Sequence, residues 1–515
     1  MPPNHAALSS LPSNLINNQW VPIPGNAIVS TMPAHPDQII WSGSSSVEAI
    51  EQAIAASRSA LPAWSKTTID ERIAVLRRFQ EIAQSKQADL GELISDETGK
   101  AHWESNAEAG LVPGKVDITL EETEFSGRHR VTDFSFPLNG TKNARCIFKP
   151  HGVMAVVGPF NFPAHLPNGH IIPALLTGNT IVFKPSDKTP AVGQLLAEMY
   201  QQALEDCGAP AGVFNMVHGA IDESVALCAH EDVDGVLFTG SWNAGRAITQ
   251  ANLDQPNKII ALEMGGNNPA IVMPDADLYQ AVVEVTRCAF NTTGQRCTST
   301  RRLIVHEDVA DKVIPAIIKA ASNLTIGDPR SPEPMFMGPI ISEDAREQVF
   351  AFERKVVAAG GRLLLESTAL PDHDGWYCTP SIIQVPGFTK GLDDCGCDEE
   401  VFGPLLRITT VSSLDLAIEQ ANATRYGLSA SIFTADHAAQ ERFVSECRSG
   451  CLNINCGTAG ASSKLPFGGL GLSGNHRPAG AFALDYTAYP VASMEETGDA
   501  CLIPNGMRVE RAWVE

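Results

Sequence analysis

Apolar residues recur at helical spacing across two early stretches, Val47 to Ala63 and Thr68 to Ile94, which predicts amphipathic helices there. Thr68, followed three residues later by Glu71, reads as a capping box opening the second. From His151 the pattern changes to short apolar runs separated by helical stretches. Val153 to Val157, Thr180 to Phe183, Val213 to Val217, Gly235 to Phe238 and Ile259 to Leu262 predict strands. Ile171 to Leu176, Val192 to Leu204, Glu223 to His230 and Asn243 to Ala251 predict the helices between them. Such alternation requires crossover connections, hence an α/β protein with a buried parallel sheet that binds ligands beyond the carboxyl ends of its strands. A second α/β region is expected after Gly265, with strands at Ala270 to Val272, Arg302 to His306 and Ser431 to Phe433. Val131 to Pro150 carries Asn139-Gly140 between extended, partly aromatic segments, a hairpin signal. Residues 1 to about 13, polar and proline-containing, are expected to form a loose tail.

At 515 residues the chain exceeds one ordinary core, so two or three units are expected. With 44% apolar and 19% charged residues it has a globular composition, and no apolar run is long enough to cross a bilayer. The amino terminus lacks a basic stretch leading into an apolar one, which makes the cytoplasm the expected location. A net charge of −22 argues against nucleic acid or an anionic membrane surface as partner, since both would be repelled. The same charge means that a carboxylate-bearing substrate needs local cations in its site. Twelve cysteines without dense spacing favour reduced thiols. Cys395-Gly396-Cys397 and Cys447, Cys451 and Cys456 lack a completing Cys-x-x-Cys or histidine, so no metal is expected.

The chemistry concentrates in two small-residue loops. In Gly294-Gln295-Arg296-Cys297 a thiol stands among flexible neighbours, and Glu263 leads into Gly265-Gly266, an open backbone able to approach a cofactor. An isolated cysteine is most often a buried structural residue, and an isolated glutamate a solvated one. Together they point to covalent catalysis on a carbonyl, with Cys297 as nucleophile and Glu263 as base. Strand Gly235 to Phe238 runs into Thr239-Gly240-Ser241-Trp242-Asn243-Ala244-Gly245 and then a helix. That turn suits a pyrophosphate at a helix amino terminus, although Gly240 and Gly245 are also ordinary turn glycines.

These loops, with Gly158-Pro159-Phe160-Asn161-Phe162-Pro163, Phe183-Lys184-Pro185-Ser186, Glu399-Glu400-Val401-Phe402-Gly403-Pro404 and Pro466-Phe467-Gly468-Gly469, resemble the aldehyde dehydrogenase superfamily from about Asn14 to about Met494. Within it, His165-Leu166-Pro167-Asn168-Gly169-His170 and Ser473-Gly474-Asn475-His476-Arg477-Pro478 resemble the N-succinylglutamate 5-semialdehyde dehydrogenases. The resemblance implies a parallel-sheet dinucleotide-binding domain over 1–130 and 152–264, and an α/β catalytic domain over 265–475. It implies a small β oligomerisation arm and tail over 131–151 and 476–515, and a homodimer or homotetramer. For the cofactor, NAD, it implies contacts from Phe160, Lys184, Ser186, Asp187, Gly240, Ser241, Gly245, Glu400 and Phe402; a carboxylate at Asp187 would repel a 2′-phosphate. Asn161 and the Cys297 N–H would hold the oxyanion. Where many members carry a second glutamate this chain has Pro478, which leaves base work to Glu263.

The expected substrate is an anionic semialdehyde. Its candidate anchors are Arg301 or Arg302, Ser462, Ser463, Lys464, His476 and Arg477, with Arg302 and Ser463 preferred. Dehydrogenation of another anionic or aliphatic semialdehyde is the alternative within enzymes. A catalytically silent binding protein of the same fold is the alternative outside them.

Overall fold

In the computed structural model, which describes residues 5–121 and 127–515, the chain opens with two antiparallel strand pairs. These are β1 (Ser13–Ile16) with β2 (Gln19–Pro22) and β3 (Ile28–Met32) with β4 (His35–Gly43), none of them anticipated from the pattern. Helices α1 (Val47–Trp64), α2 (Ile69–Ser85), α3 (Gln87–Thr98) and α4 (His102–Leu120) follow. The capping box forms: the Glu71 N–H reaches the Thr68 hydroxyl at 3.2 Å, and the Glu71 carboxylate accepts the Thr68 N–H at 2.6 Å. The single helix expected from Thr68 to Ile94 is two, parted at Lys86, where φ of −99° and ψ of 6° leave the helical region. The bend sends the stripes of both pieces, Leu76 and Phe79 from one and Leu90 and Leu93 from the other, into one core.

The expectation of a loose tail is corrected for its described part. His5 meets Asp96 at 3.0 Å, Leu8 is buried, and the Glu198 carboxylate accepts the Ser9 and Ser10 N–H groups. Residues 1–4 lie outside the described residues.

A hairpin of β5 (Phe134–Asn139) and β6 (Lys142–Pro150) turns at Gly140, whose φ is +51°. The alternating region then runs β7 (Val153–Val157), α5 (His165–Leu176), β8 (Thr180–Lys184), α6 (Pro190–Asp206), β9 (Phe214–Met216), α7 (Ile221–Ala229), β10 (Gly235–Thr239), α8 (Trp242–Ala251) and β11 (Ile259–Glu263). Its sheet has the order β11-β10-β7-β8-β9-β1-β2, parallel from β11 to β9, with β1 and β2 antiparallel at the edge. β7 and β8 are buried along their whole length, as strands covered on both faces must be. Helix α5 starts six residues before Ile171, because Pro167 sits in the first turn, where no N–H is needed.

The second α/β unit comprises β12 (Asn268–Val272), α9 (Leu278–Phe290), β13 (Thr300–His306), α10 (Glu307–Ser322), α11 (Glu343–Ala358), β14 (Arg362–Leu365), β15 (Ser381–Gln384), β16 (Leu405–Val411), α12 (Leu414–Ala421), β17 (Ser429–Phe433), α13 (His437–Glu446) and β18 (Cys451–Ile454). Its sheet has the order β14-β15-β16-β13-β12-β17-β18, parallel except for β14. A short ladder of β19 (Pro466–Phe467) and β20 (Ala479–Gly480) follows, and β21 (Ala488–Glu496) pairs with β6 to complete a three-stranded sheet. Among the described residues no helix is long and apolar enough to cross a membrane.

Candidate active site

The loop carrying Cys297 is held in an unusual backbone state. Thr292, Thr293 and Gly294 have φ of 50°, 54° and 70°, a left-handed run that β-branched residues disfavour. Glu104, on α4, compensates by accepting the Thr292 N–H at 2.8 Å, the Thr292 hydroxyl at 2.7 Å and the Arg296 guanidinium at 2.6 Å. Gly294 is required here, because a Cβ would lie 2.0 Å from the Gly403 carbonyl oxygen. Beyond the bend, the Asn268 amide donates to the Cys297 and Ser299 carbonyls at 2.8 and 2.9 Å. One helical turn after Glu104, Glu108 accepts the Ala164 and His165 N–H groups, each at 3.1 Å, and meets Lys100 at 2.5 Å. One face of α4 thus fixes both the thiol loop and the loop bearing Asn161.

Asn161 is buried and donates one amide N–H to the Gln295 carbonyl at 2.9 Å, which ties it to the thiol loop and leaves its second N–H. Glu263 ends β11. Cys297 and Glu263 line one cavity of about 450 Å³, walled also by Phe162, His165, Ser463 and Phe467. Burial drives the Glu263 carboxyl well above its ordinary range, and its Oε2 has no hydrogen-bond partner. Burial, then the Glu400 and Glu263 carboxyls, push the Cys297 thiol up to about 12. Burial thus favours the uncharged form of both groups, and attack requires that the thiol proton be taken by a base.

The carboxyl ends of β10, β7 and β8 stand side by side, and they bring together the segments that follow Thr239, Val157 and Lys184. Lys184 is buried, donating to the Pro185 and Gly219 carbonyls at 2.9 and 2.8 Å. Asp187 lies part-exposed beyond it, 4.0 Å from Lys188, while the Ser186 hydroxyl accepts the Lys188 N–H. Ser241 caps α8 by accepting the Ala244 N–H at 3.3 Å, and the Gly240 N–H donates to the Glu263 carbonyl. Phe160 and Phe402 meet edge-on at 5.9 Å.

A dinucleotide fits this edge. Glu400 directs Oε1 to the Gly266 N–H at 2.9 Å and to Arg301 at 3.5 Å, and no described residue donates to its Oε2, which leaves an acceptor for a ribose hydroxyl.

Three sequence expectations need correction. Arg302 does not face the cavity: it is 0% exposed on β13, and its guanidinium donates to the Asn267, Gln420 and Ala421 carbonyls at 2.7, 2.9 and 2.9 Å. It clamps the second sheet instead, and Arg302→Met is expected to lower stability by roughly 2–5 kcal/mol in denaturant melts while moving KM little. Gly245 lies inside α8 against Met264, where a Cβ would come within 2.3 Å of the sulfur, so it serves helix–sheet packing. Gly265 and Gly266 accommodate the protein itself: added Cβ atoms would lie 1.7 Å from Glu400 Oε2 and 2.6 Å from the Cys297 carbonyl oxygen. Sequence reasoning also passed over cavity residues Lys115, His165 and Arg296. The available signal for Lys115 was a lone charge within the apolar run Leu111-Val112-Pro113-Gly114-Lys115-Val116.

The model of the aldehyde dehydrogenase family matches residues 20–490. The chain belongs to the aldehyde dehydrogenase family. Among curated relatives, N-succinylglutamate 5-semialdehyde dehydrogenase 2 of Caulobacter vibrioides is 44% identical over 483 residues, 93% of this chain and 96% of its own. Among solved structures, an NAD-dependent aldehyde dehydrogenase from Sinorhizobium meliloti superposes with a TM-score of 0.88 at 27% identity, covering 97% of this chain and 98% of that one. Glyceraldehyde-3-phosphate dehydrogenase from Methanocaldococcus jannaschii, complexed with NADP, gives 0.84 at 28% identity over 92% of this chain and 100% of that one. This family membership makes the three-part α/β architecture, with its small β sheet, that of an aldehyde dehydrogenase.

Proposed function

We propose that this aldehyde dehydrogenase oxidises N-succinylglutamate 5-semialdehyde to N-succinylglutamate with NAD, in arginine catabolism. The observation that carries the reading is the near full-length likeness to the Caulobacter vibrioides enzyme of that name. Once Glu263 has given its proton to solvent, Cys297 attacks the aldehyde carbon as the thiol proton passes to that carboxylate, directly or through water. The oxyanion is held by the second Asn161 N–H and the Cys297 backbone N–H. NAD, when bound, supplies the hydride acceptor that leaves a thioester on Cys297. After releasing the thiol proton to solvent, the Glu263 carboxylate draws a proton from water, whose oxygen attacks the thioester carbonyl; the C–S bond breaks, the acid is released, and the proton held on Glu263 returns to the Cys297 sulfur.

Lys184, Ser186, Asp187, Ser241, Glu400, Phe160 and Phe402 are the residues that would hold the dinucleotide. Asp187 favours NAD, since its carboxylate would stand against a 2′-phosphate, although Lys188 softens that field. The first sheet with its helices is the dinucleotide-binding unit and the second sheet the catalytic one. The three-stranded sheet is the oligomerisation arm of a homodimer or homotetramer. Its edge strand β5 supports this, as Phe134, Phe136 and Leu138 are about half exposed along an unpaired edge.

A panel of semialdehydes tests the substrate. N-succinylglutamate 5-semialdehyde is expected to exceed succinic and glutamic semialdehydes in kcat/KM by about tenfold or more, the discrimination available from one well-placed ionic contact. Comparable values would replace this reading with a broad-range semialdehyde dehydrogenase.

A further inference from the structure

We propose that Lys115 is the carboxylate anchor of the cavity, receiving a carboxylate of an acylated dicarboxylic semialdehyde while the aldehyde lies at Cys297; the proposal rests on the reaction assigned above. Lys115 projects from α4 into the wall shared with Cys297 and Glu263 and is 2% exposed. Its ammonium donates to the Gly480 carbonyl at 2.7 Å, and no second acceptor is found among the described residues. Two of its three N–H donors are therefore left for the cavity.

The other buried lysines are neutralised from within the protein. Lys100 meets Glu108 at 2.5 Å, Lys184 lies in the fields of Asp187 and Glu223, and Lys258 lies in that of Asp234. Lys115 feels no such carboxylate, only burial, which pulls it down to about 8. A buried cation without a counter-ion is costly unless a ligand supplies one. In a chain of net charge −22 this one is conspicuous, because it occupies the substrate cavity.

The groups around it leave that role open. From α5, His165 and His170 are pushed down to about 4 and about 3 by burial and by Lys115 itself, so both are neutral at pH 7. His165 Nδ1 has no partner, and the ring lines the same cavity, so it offers a second polar group to an incoming carboxylate. Of the other charged groups lining the cavity, Arg296 is already paired with Glu104 at 2.6 Å and Lys464 is exposed on its loop. Burial holds the Glu263 carboxyl well above the usual range and so favours its protonated form. A carboxylate bound at Lys115 would restore the missing counter-ion and hold the ammonium protonated.

The test compares wild type, Lys115→Met and Lys115→Arg on N-succinylglutamate 5-semialdehyde and on hexanal, with glutarate as competitive inhibitor of hexanal oxidation. In the Met variant the kcat/KM ratio of succinylated substrate to hexanal is expected to fall about 30-fold or more, chiefly through KM, with partial recovery in the Arg variant. Glutarate inhibition should weaken in parallel. In wild type the glutarate inhibition constant should rise about tenfold per pH unit above pH 8, as Lys115 loses its proton. An unchanged ratio and unchanged glutarate inhibition in the Met variant would overturn the proposal. Should that variant not fold, a glutarate inhibition constant no lower than that of uncharged glutaramide in wild type at pH 7 overturns it alone. A wild type without preference for the succinylated substrate defeats the substrate assignment instead, and glutarate inhibition, lost or kept in the Met variant, still decides for or against Lys115.

Discussion

Cys297→Ala is expected to abolish aldehyde oxidation, with kcat falling on the order of 10⁶-fold, the scale seen when a covalent enzyme loses its nucleophile. The size follows from the site's construction. Asn161, Glu104 and Asn268 all act on the backbone around residue 297, so the variant retains the loop and loses only the sulfur. Dinucleotide binding, measured by fluorescence titration, should stay within a few fold of wild type. Wild-type protein quenched in mid-turnover should carry an acyl adduct on residue 297 by mass spectrometry. Residual turnover in the alanine variant above a hundredth of wild type, or an adduct elsewhere, would remove Cys297 from the reaction. A second check uses the half-buried Cys297 thiol of the free protein, which is pushed up to about 12. At pH 7.5 iodoacetamide should label it much more slowly than the exposed Cys207 and Cys501, because only thiolate reacts.

Glu263→Gln is expected to separate the two halves of the reaction. Acylation, with the thiol proton passing to water in place of the carboxylate, should still give a burst of NADH approaching one per active site, after which steady turnover falls about 10²- to 10⁴-fold as the thioester waits for activated water. The variant also tests the electrostatics. Hydrolysis needs the carboxylate, so the wild-type rate should climb with pH as Glu263 ionises, and the glutamine variant should lose that limb. The sign for stability is opposite. A carboxyl raised in the folded state keeps its proton after the unfolded chain has lost it, so its effect on the fold turns unfavourable as pH rises from the ordinary carboxyl value through the folded one. Glu263→Gln should accordingly melt at or above wild type at pH 8. A full steady-state rate without a burst would mean that another group activates the water.

The five parallel strands of the first sheet, three strands of the second (β12, β13 and β17) and the hairpin were legible because a buried strand is a short apolar run and Asn-Gly marks a tight turn, features written in neighbouring residues. The small-residue loops that bring Cys297 and Glu263 to one cavity were legible for a related reason: they need glycine, and the structure gives the physical cause in the atoms that a Cβ would strike. The break at Lys86, the early start of α5 and the β1–β4 strands were not, since tertiary packing overrode the local pattern at each. Side-chain direction was hidden most. Arg302 stands five residues past the nucleophile and looked like an anchor, yet strand alternation and three carbonyls turn it into the sheet. Lys115 stands far from every catalytic motif in sequence, and the packing of α4 against α5 brings it into the cavity wall. By itself the sequence determined which chemistry this chain carries, because that depends on residue types and local backbone freedom. Only the tertiary structure decided which charges line the cavity and which are spent on holding the sheets, because that depends on where a side chain points and what lies within about 3 Å of its end.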